Sequence, residues 1–244
     1  MTSQDIGEQA ISKAAEVGME SQLDESEELD VDVRTNPADA AQGKLDSVNI
    51  NGKGLVMNKE LRAEKLDMKT NNIKVNPLKA AFGDIEMEQP TDATACIVLT
   101  DKDIERAFNS EYIKDKLKDR EVTIDGETVT ANAKRVNFSL PGEGKISLEA
   151  DISLADSETK QIAFTGKPRV SDNGNKIVIE DVEYTSGKNE APELTQALLN
   201  SAEELLDLRN FELADMSLQL KKLDVQKGKM TINADARVNQ LPQE

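Results

Sequence analysis

Across residues 3–23 the apolar residues Ile6, Ala10, Ala14 and Val17 fall at intervals of three to four, with Gln, Glu and Lys between them. That spacing predicts an amphipathic helix packed on its own domain. At Leu29 the period shortens to two. Leu29, Val31 and Val33 alternate with Asp30, Asp32 and Arg34, as in a strand with one dry and one wet face. The alternation returns over 45–57, 66–68, 73–75 and 84–88. Asn36-Pro37, Asn51-Gly52-Lys53-Gly54, Asn71-Asn72 and Asn76-Pro77 are expected to turn the chain between these pieces. The result is a meander of half-buried antiparallel strands.

Thr100 marks a return to helical spacing. It is a candidate N-cap, Asp101 and Asp103 suit the positive end of a helix dipole, and Ile104, Ala107, Phe108 and Tyr112 form one stripe. One helix is predicted over 101–118. A second meander follows over 121–185, with turns at Asp125-Gly126, Pro141-Gly142-Glu143-Gly144 and Asp172-Asn173-Gly174-Asn175. Residues 192–208 form a further helix whose apolar residues cover an arc of roughly 200°, about twice what a helix lying on the outside of a sheet requires. This helix is expected to be wrapped by sheet on more than one side, or to lie along a cavity. Two strands, 211–225 and 229–238, end the chain. The fold class is therefore α+β and β-rich. Residues 1–28 make an N-terminal amphipathic helix and acidic connection, and residues 29–244 one β-rich domain.

Composition narrows the chemistry. The 244 residues carry 47 Asp+Glu against 30 Lys+Arg, a net charge of −17, with no His and one Cys. Without histidine there is no Ser-His or Cys-His nucleophile pair and no His-ligated metal. A single cysteine forms no intrachain disulfide, and Cys96, in the run Ala95-Cys96-Ile97-Val98-Leu99, reads as a buried structural thiol. The acidic balance and the lack of a basic cluster argue against nucleic acid as a partner. The paired carboxylates Asp30/Asp32 and Glu86/Glu88 lie opposite apolar neighbours and read as solvated strand faces. No stretch shows the DxDxDG spacing of a calcium loop, and neither Gly52-Lys53-Gly54 nor Gly142-Glu143-Gly144 completes a phosphate loop. No enzyme, catalytic residue, metal or cofactor is expected. There is neither an apolar run of membrane-spanning length nor a signal-peptide pattern, so the expected location is cytoplasmic, at most peripheral to a membrane.

Aliphatic inner strand faces, seven Met and few aromatics suit an interior able to hold alkyl chains, though the same residues would fill a solid core. Gly43-Lys44-Leu45-Asp46-Ser47-Val48, Gly52-Lys53-Gly54-Leu55, Leu61-Arg62-Ala63-Glu64 and Asn76-Pro77-Leu78 resemble the LmeA-like phospholipid-binding family. So, above all, does Gln89-Pro90-Thr91-Asp92-Ala93-Thr94-Ala95, running into Leu99-Thr100-Asp101-Lys102-Asp103-Ile104. The resemblance implies an elongated, twisted antiparallel β-structure wrapping central helices around an apolar cavity for acyl chains. It carries no catalytic motif. The expected function is binding or transfer of phospholipid or another acyl lipid, with transient contact to a membrane surface. Candidate lining residues are Ile104, Phe108, Leu194, Leu198 and Leu205 from helices, Met57, Val98 and Phe211 from strands, and Phe82 at a cavity mouth. The alternative is a solid-cored module whose acidic surface recruits a basic protein partner.

Overall fold

Alternating sequences of this kind pair with their neighbours, and the computed structural model shows how. It describes residues 3–76, 87–124, 126–154, 159–185, 192–205 and 216–238. The chain begins with helix α1 (Ser3–Glu20), strand β1 (Glu28–Arg34), a short α2 (Pro37–Ala40), β2 (Lys44–Met57), β3 (Leu61–Lys74) and β4 (Thr91–Thr100). Helices α3 (Asp101–Asn109) and α4 (Glu111–Leu117) lead into β5 (Arg120–Ile124), β6 (Glu127–Gly142), β7 (Lys145–Leu154), β8 (Thr159–Val170) and β9 (Ile177–Tyr184). Helix α5 (Pro192–Leu205) and strands β10 (Met216–Gln226) and β11 (Lys229–Val238) complete the described elements. The strands form two antiparallel sheets, one in the order β1-β2-β3-β4-β11-β10 and the other β5-β6-β7-β8-β9. The fold is thus β-rich α+β, with five described helices.

Two expected turns are not turns. β2 continues through Asn51-Gly52-Lys53-Gly54 and β3 through Asn71-Asn72. Gly54 (φ 57°) and Asn72 (φ 54°) do adopt left-handed backbone. Yet Lys53 pairs with Lys65 and Leu55 with Ala63, and Ser47 pairs with Asn71 and Leu45 with Ile73, so the register passes both sites unbroken. The reversal instead falls at Asn58 (φ 49°) and Lys59 (φ 67°), which close the hairpin between Met57 and Leu61. Of the expected strand 84–88, residues 84–86 lie outside the described residues, while Met87 bridges to Val75. A β-carbon at Gly54 would sit 2.4 Å from the Glu27 side chain. Gly54→Ala is therefore expected to lose about 1–2 kcal/mol through left-handed strain. A lowered urea midpoint at unchanged slope would report it.

The helix expected over 101–118 is two helices. Its start is as read: Thr100 Oγ1 accepts from Asp103 N at 3.1 Å and Asp103 Oδ2 accepts from Thr100 N at 2.9 Å, a reciprocal capping box. Its end is set by a strand. The Asn109 side chain donates to Val136 O at 2.6 Å and accepts from Val136 N at 3.1 Å, pinning the last residue of α3 to β6. The chain then turns at Ser110, which is extended (φ −66°, ψ 152°) and whose Oγ accepts from Ile113 N to start α4.

The larger apolar core lies on the five-stranded sheet. Val122, Ala131, Val136, Ala150, Ile152, Ile162 and Leu194 form one buried cluster. Phe138, Leu140, Ile146, Phe164, Leu199 and Met230 form another, and Phe108 and Leu148 touch both. Helix α5 contacts β5 and β9, the two edges of this sheet. Five flat strands span about 19 Å while a helix is about 10–12 Å thick, so the sheet must curl around α5. This half-barrel accounts for the broad apolar arc of the helix.

Candidate functional site

The register of the six-stranded sheet assembles what no single strand shows. Val31, Ile50, Met68, Ala95, Ala234 and Leu220 are successive pairing partners across all six strands. Beside them run Leu29, Gly52, Leu66, Ile97, Ile232 and Leu223 on one side and Val33, Val48, Thr70, Ala93, Ala236 and Leu218 on the other. Because side chains alternate at period two, these three rows share one face, almost wholly apolar. The opposite face carries Lys65, Asp67, Cys96, Asn233 and Val98. Lys65 and Asp67 pair there at 2.6 Å, which raises the lysine pKa through the hydrogen bond to the carboxylate. Cys96 is half-buried on this polar side rather than within the core, because alternation sets it opposite Ala95 and Ile97.

The apolar face is covered differently along its length. At the β1 end, Ile11, Ala15 and Met19 of α1 pack on Val31, Val33 and Ile50. At the β10 and β11 end, Met230, Leu223, Val225 and Ile232 meet Phe138, Leu140 and Phe164 of the second sheet. Between them Leu66, Ala95, Ile97 and Leu99 are half-buried and belong to none of the four buried clusters of described residues.

A polar rim bounds this surface where α3 begins. Two and four residues before Leu66, on the same side of β3, stand Glu64 and Arg62. The Arg62 guanidinium donates to Glu27 and Glu64 at 2.8 Å and to the buried Asp103 at 3.1 Å. Hydrogen bonds to Glu27 first, then to Glu64, drive its pKa further up, so it is a fixed cation. It ties the residues before β1, strand β3 and the α3 capping box into one unit. Among the described residues no group of three or more Cys, Asp or Glu is placed to hold a metal.

The structure brings four of the expected lining residues together. Ile104 and Phe108 from α3 pack on the cluster around Phe138, Leu194 and Leu198 from α5 join the cluster around Val122, and Phe108 links the two. Val98 lies apart, in register with Lys65 and Thr231 on the polar face. Met57 is 51% exposed at the hairpin end of β2. Phe82 and Phe211 lie outside the described residues, as does the side chain of Leu205. Sequence reading missed Leu66, Ile97 and Ile232, whose common signal is only visible once three strands are aligned. No described helix is long and apolar enough to cross a membrane.

Comparison with curated proteins yields no matching relative. Residues 2–235 match the family model described as LmeA-like phospholipid-binding, nearly the whole length, and the chain therefore belongs to that family.

Proposed function

We propose that the chain binds phospholipid by laying acyl chains on the apolar face of the six-stranded sheet, over Leu66, Ala95, Ile97 and Leu99. In this reading α3 closes one end with Ile104 and Phe108, and the half-barrel around Leu194 and Leu198 anchors that end. The observation that carries it is the half-buried centre of three in-register apolar rows whose two ends are already covered. Such a strip takes a flexible alkyl chain and offers nothing to a polar ligand. About ten methylenes removed from water there would supply on the order of 8 kcal/mol before the costs of ordering the lipid. Binding proceeds without bond making or breaking. The protein would act as a carrier that exchanges lipid with a membrane surface.

Native mass spectrometry and solvent extraction of the purified protein test this. The expected result is stoichiometric phospholipid, or its uptake from phosphatidylcholine vesicles by protein stripped of lipid. Absence of both would overturn the reading. Binding of a basic protein that weakens steeply with salt, in place of lipid, would favour a solid-cored interaction module.

A further inference from the structure

Edge strands expose unpaired N–H groups, and β1 is an edge of the six-stranded sheet. Helix α1 covers that edge in an unusual way. Its Ser12 Oγ accepts from Val33 N at 2.9 Å and its Glu8 Oε1 accepts from Thr35 N at 2.9 Å, so two helix side chains stand where a neighbouring strand would supply carbonyls. On the same seat Ile11, Ala15 and Met19 cover Val31, Val33 and Ile50, which begin the apolar rows.

The helix is weak by itself. Open clefts lined mainly by charged side chains flank it, one by Glu8, Lys13, Glu16, Asp30 and Arg34 and the other by Glu20, Glu27, Glu28, Asp30, Lys53 and Lys65. The last turn of α1 contains no basic residue, and Glu16 and Glu20 face the negative end of its dipole. Gly18 weakens it further. Most of the stability of such a helix comes from packing its apolar face, so undocking removes its main support. The chain after it is fixed: Asp24 N donates to Val56 O, Val56 N to Glu25 O, and Glu27 N to Lys53 O. A release of α1 would therefore be bounded at Asp24.

We propose that α1 is a displaceable strap that gates acyl-chain entry onto the apolar rows from the β1 side. This rests on the lipid-binding reading above. An alkyl chain entering from the β1 side must cross Val31, Val33 and Ile50, the surface that the apolar stripe of α1 covers, so lipid entry and strap release are coupled. The polar contacts of Ser12 and Glu8 hold the closed state without adding apolar area, which lets the strap reseat after the lipid passes.

Two full-length variants test the strap in opposite directions. In Glu8→Ala/Ser12→Ala both acceptors are lost, and uptake of pyrene-labelled phosphatidylcholine from phosphatidylcholine vesicles is expected to quicken about tenfold. Hydrogen exchange at the Val33 and Thr35 amides should rise in parallel. A β-carbon at Gly18 meets nothing within 4 Å, so Gly18→Ala strengthens the docked helix and is expected to slow uptake about two- to fivefold. Unchanged uptake rates in Gly18→Ala, or in a double variant whose two amides exchange faster, would overturn the gate while leaving lipid binding in place. Failure of the wild-type chain to take up any lipid would overturn both.

Discussion

Glutamate in place of Ile97 is expected to reduce phospholipid uptake at least tenfold while the protein stays folded. Ile97 is half-buried at the centre of an apolar row, between Leu66 and Ile232. In lipid-free protein a carboxylate there still reaches water, so the fold loses roughly 1–2 kcal/mol. With an alkyl chain laid over it the same carboxylate becomes dry and unpaired, a cost of several kcal/mol that falls on the complex alone. The comparator is Val98→Glu, one residue along on the polar face, where Lys65 is the register partner and can pair with the new charge. Equal uptake by Ile97→Glu and wild type, or equal loss in both variants at matched thermal stability, would remove the sheet face as the binding surface.

The contrast between Ile97 and Val98 also sets the limit of what periodicity along one strand can assign. Alternation marks the strands at 29–34 and 45–57, because one wet face makes polar residues recur at period two, but the turn expected at 51–54 lies inside the second of them. The run from Ala95 to Leu99 is apolar on both faces, so periodicity assigns Ile97 and Val98 to neither. Only pairing with Lys65 and Thr231 shows which side is which. Register in turn depends on where hairpins close. Gly54 has the backbone of a turn residue but is held inside a ladder, while Asn58 and Lys59 make the reversal without a glycine. Ile104, Phe108, Leu194 and Leu198 are legible as residues to be buried, because they recur at helical spacing, and all four pack in the buried clusters. The break at Ser110 could not be read locally: it follows from Asn109 bonding to Val136, 27 residues away. The roles of Glu8 and Ser12 are likewise not legible in α1 itself, because their partners are the Thr35 and Val33 amides of a strand not known in advance to be an edge.

Leu194→Ala is expected to have the largest effect on stability. Leu194 is fully buried, at 0% exposure, among Val122, Ala131, Val136, Ala150, Ile152 and Ile162. These residues come from four strands of the half-barrel, so the walls are held by the ladder and close only partly around a lost isobutyl group. Transfer and cavity contributions together come to about 3–5 kcal/mol, a large share of the roughly 5–15 kcal/mol that holds a domain together. For a chain of this size that corresponds to a fall in Tm of about 6–20 °C. Leu194→Met, of similar volume, should recover most of it. The measurement also separates two roles for α5. If Leu194 anchors the helix in a filled half-barrel, the alanine variant loses stability but takes up phospholipid normally per folded molecule. A cost below about 1 kcal/mol, accompanied by altered lipid uptake, would instead place the acyl chains inside the half-barrel against α5.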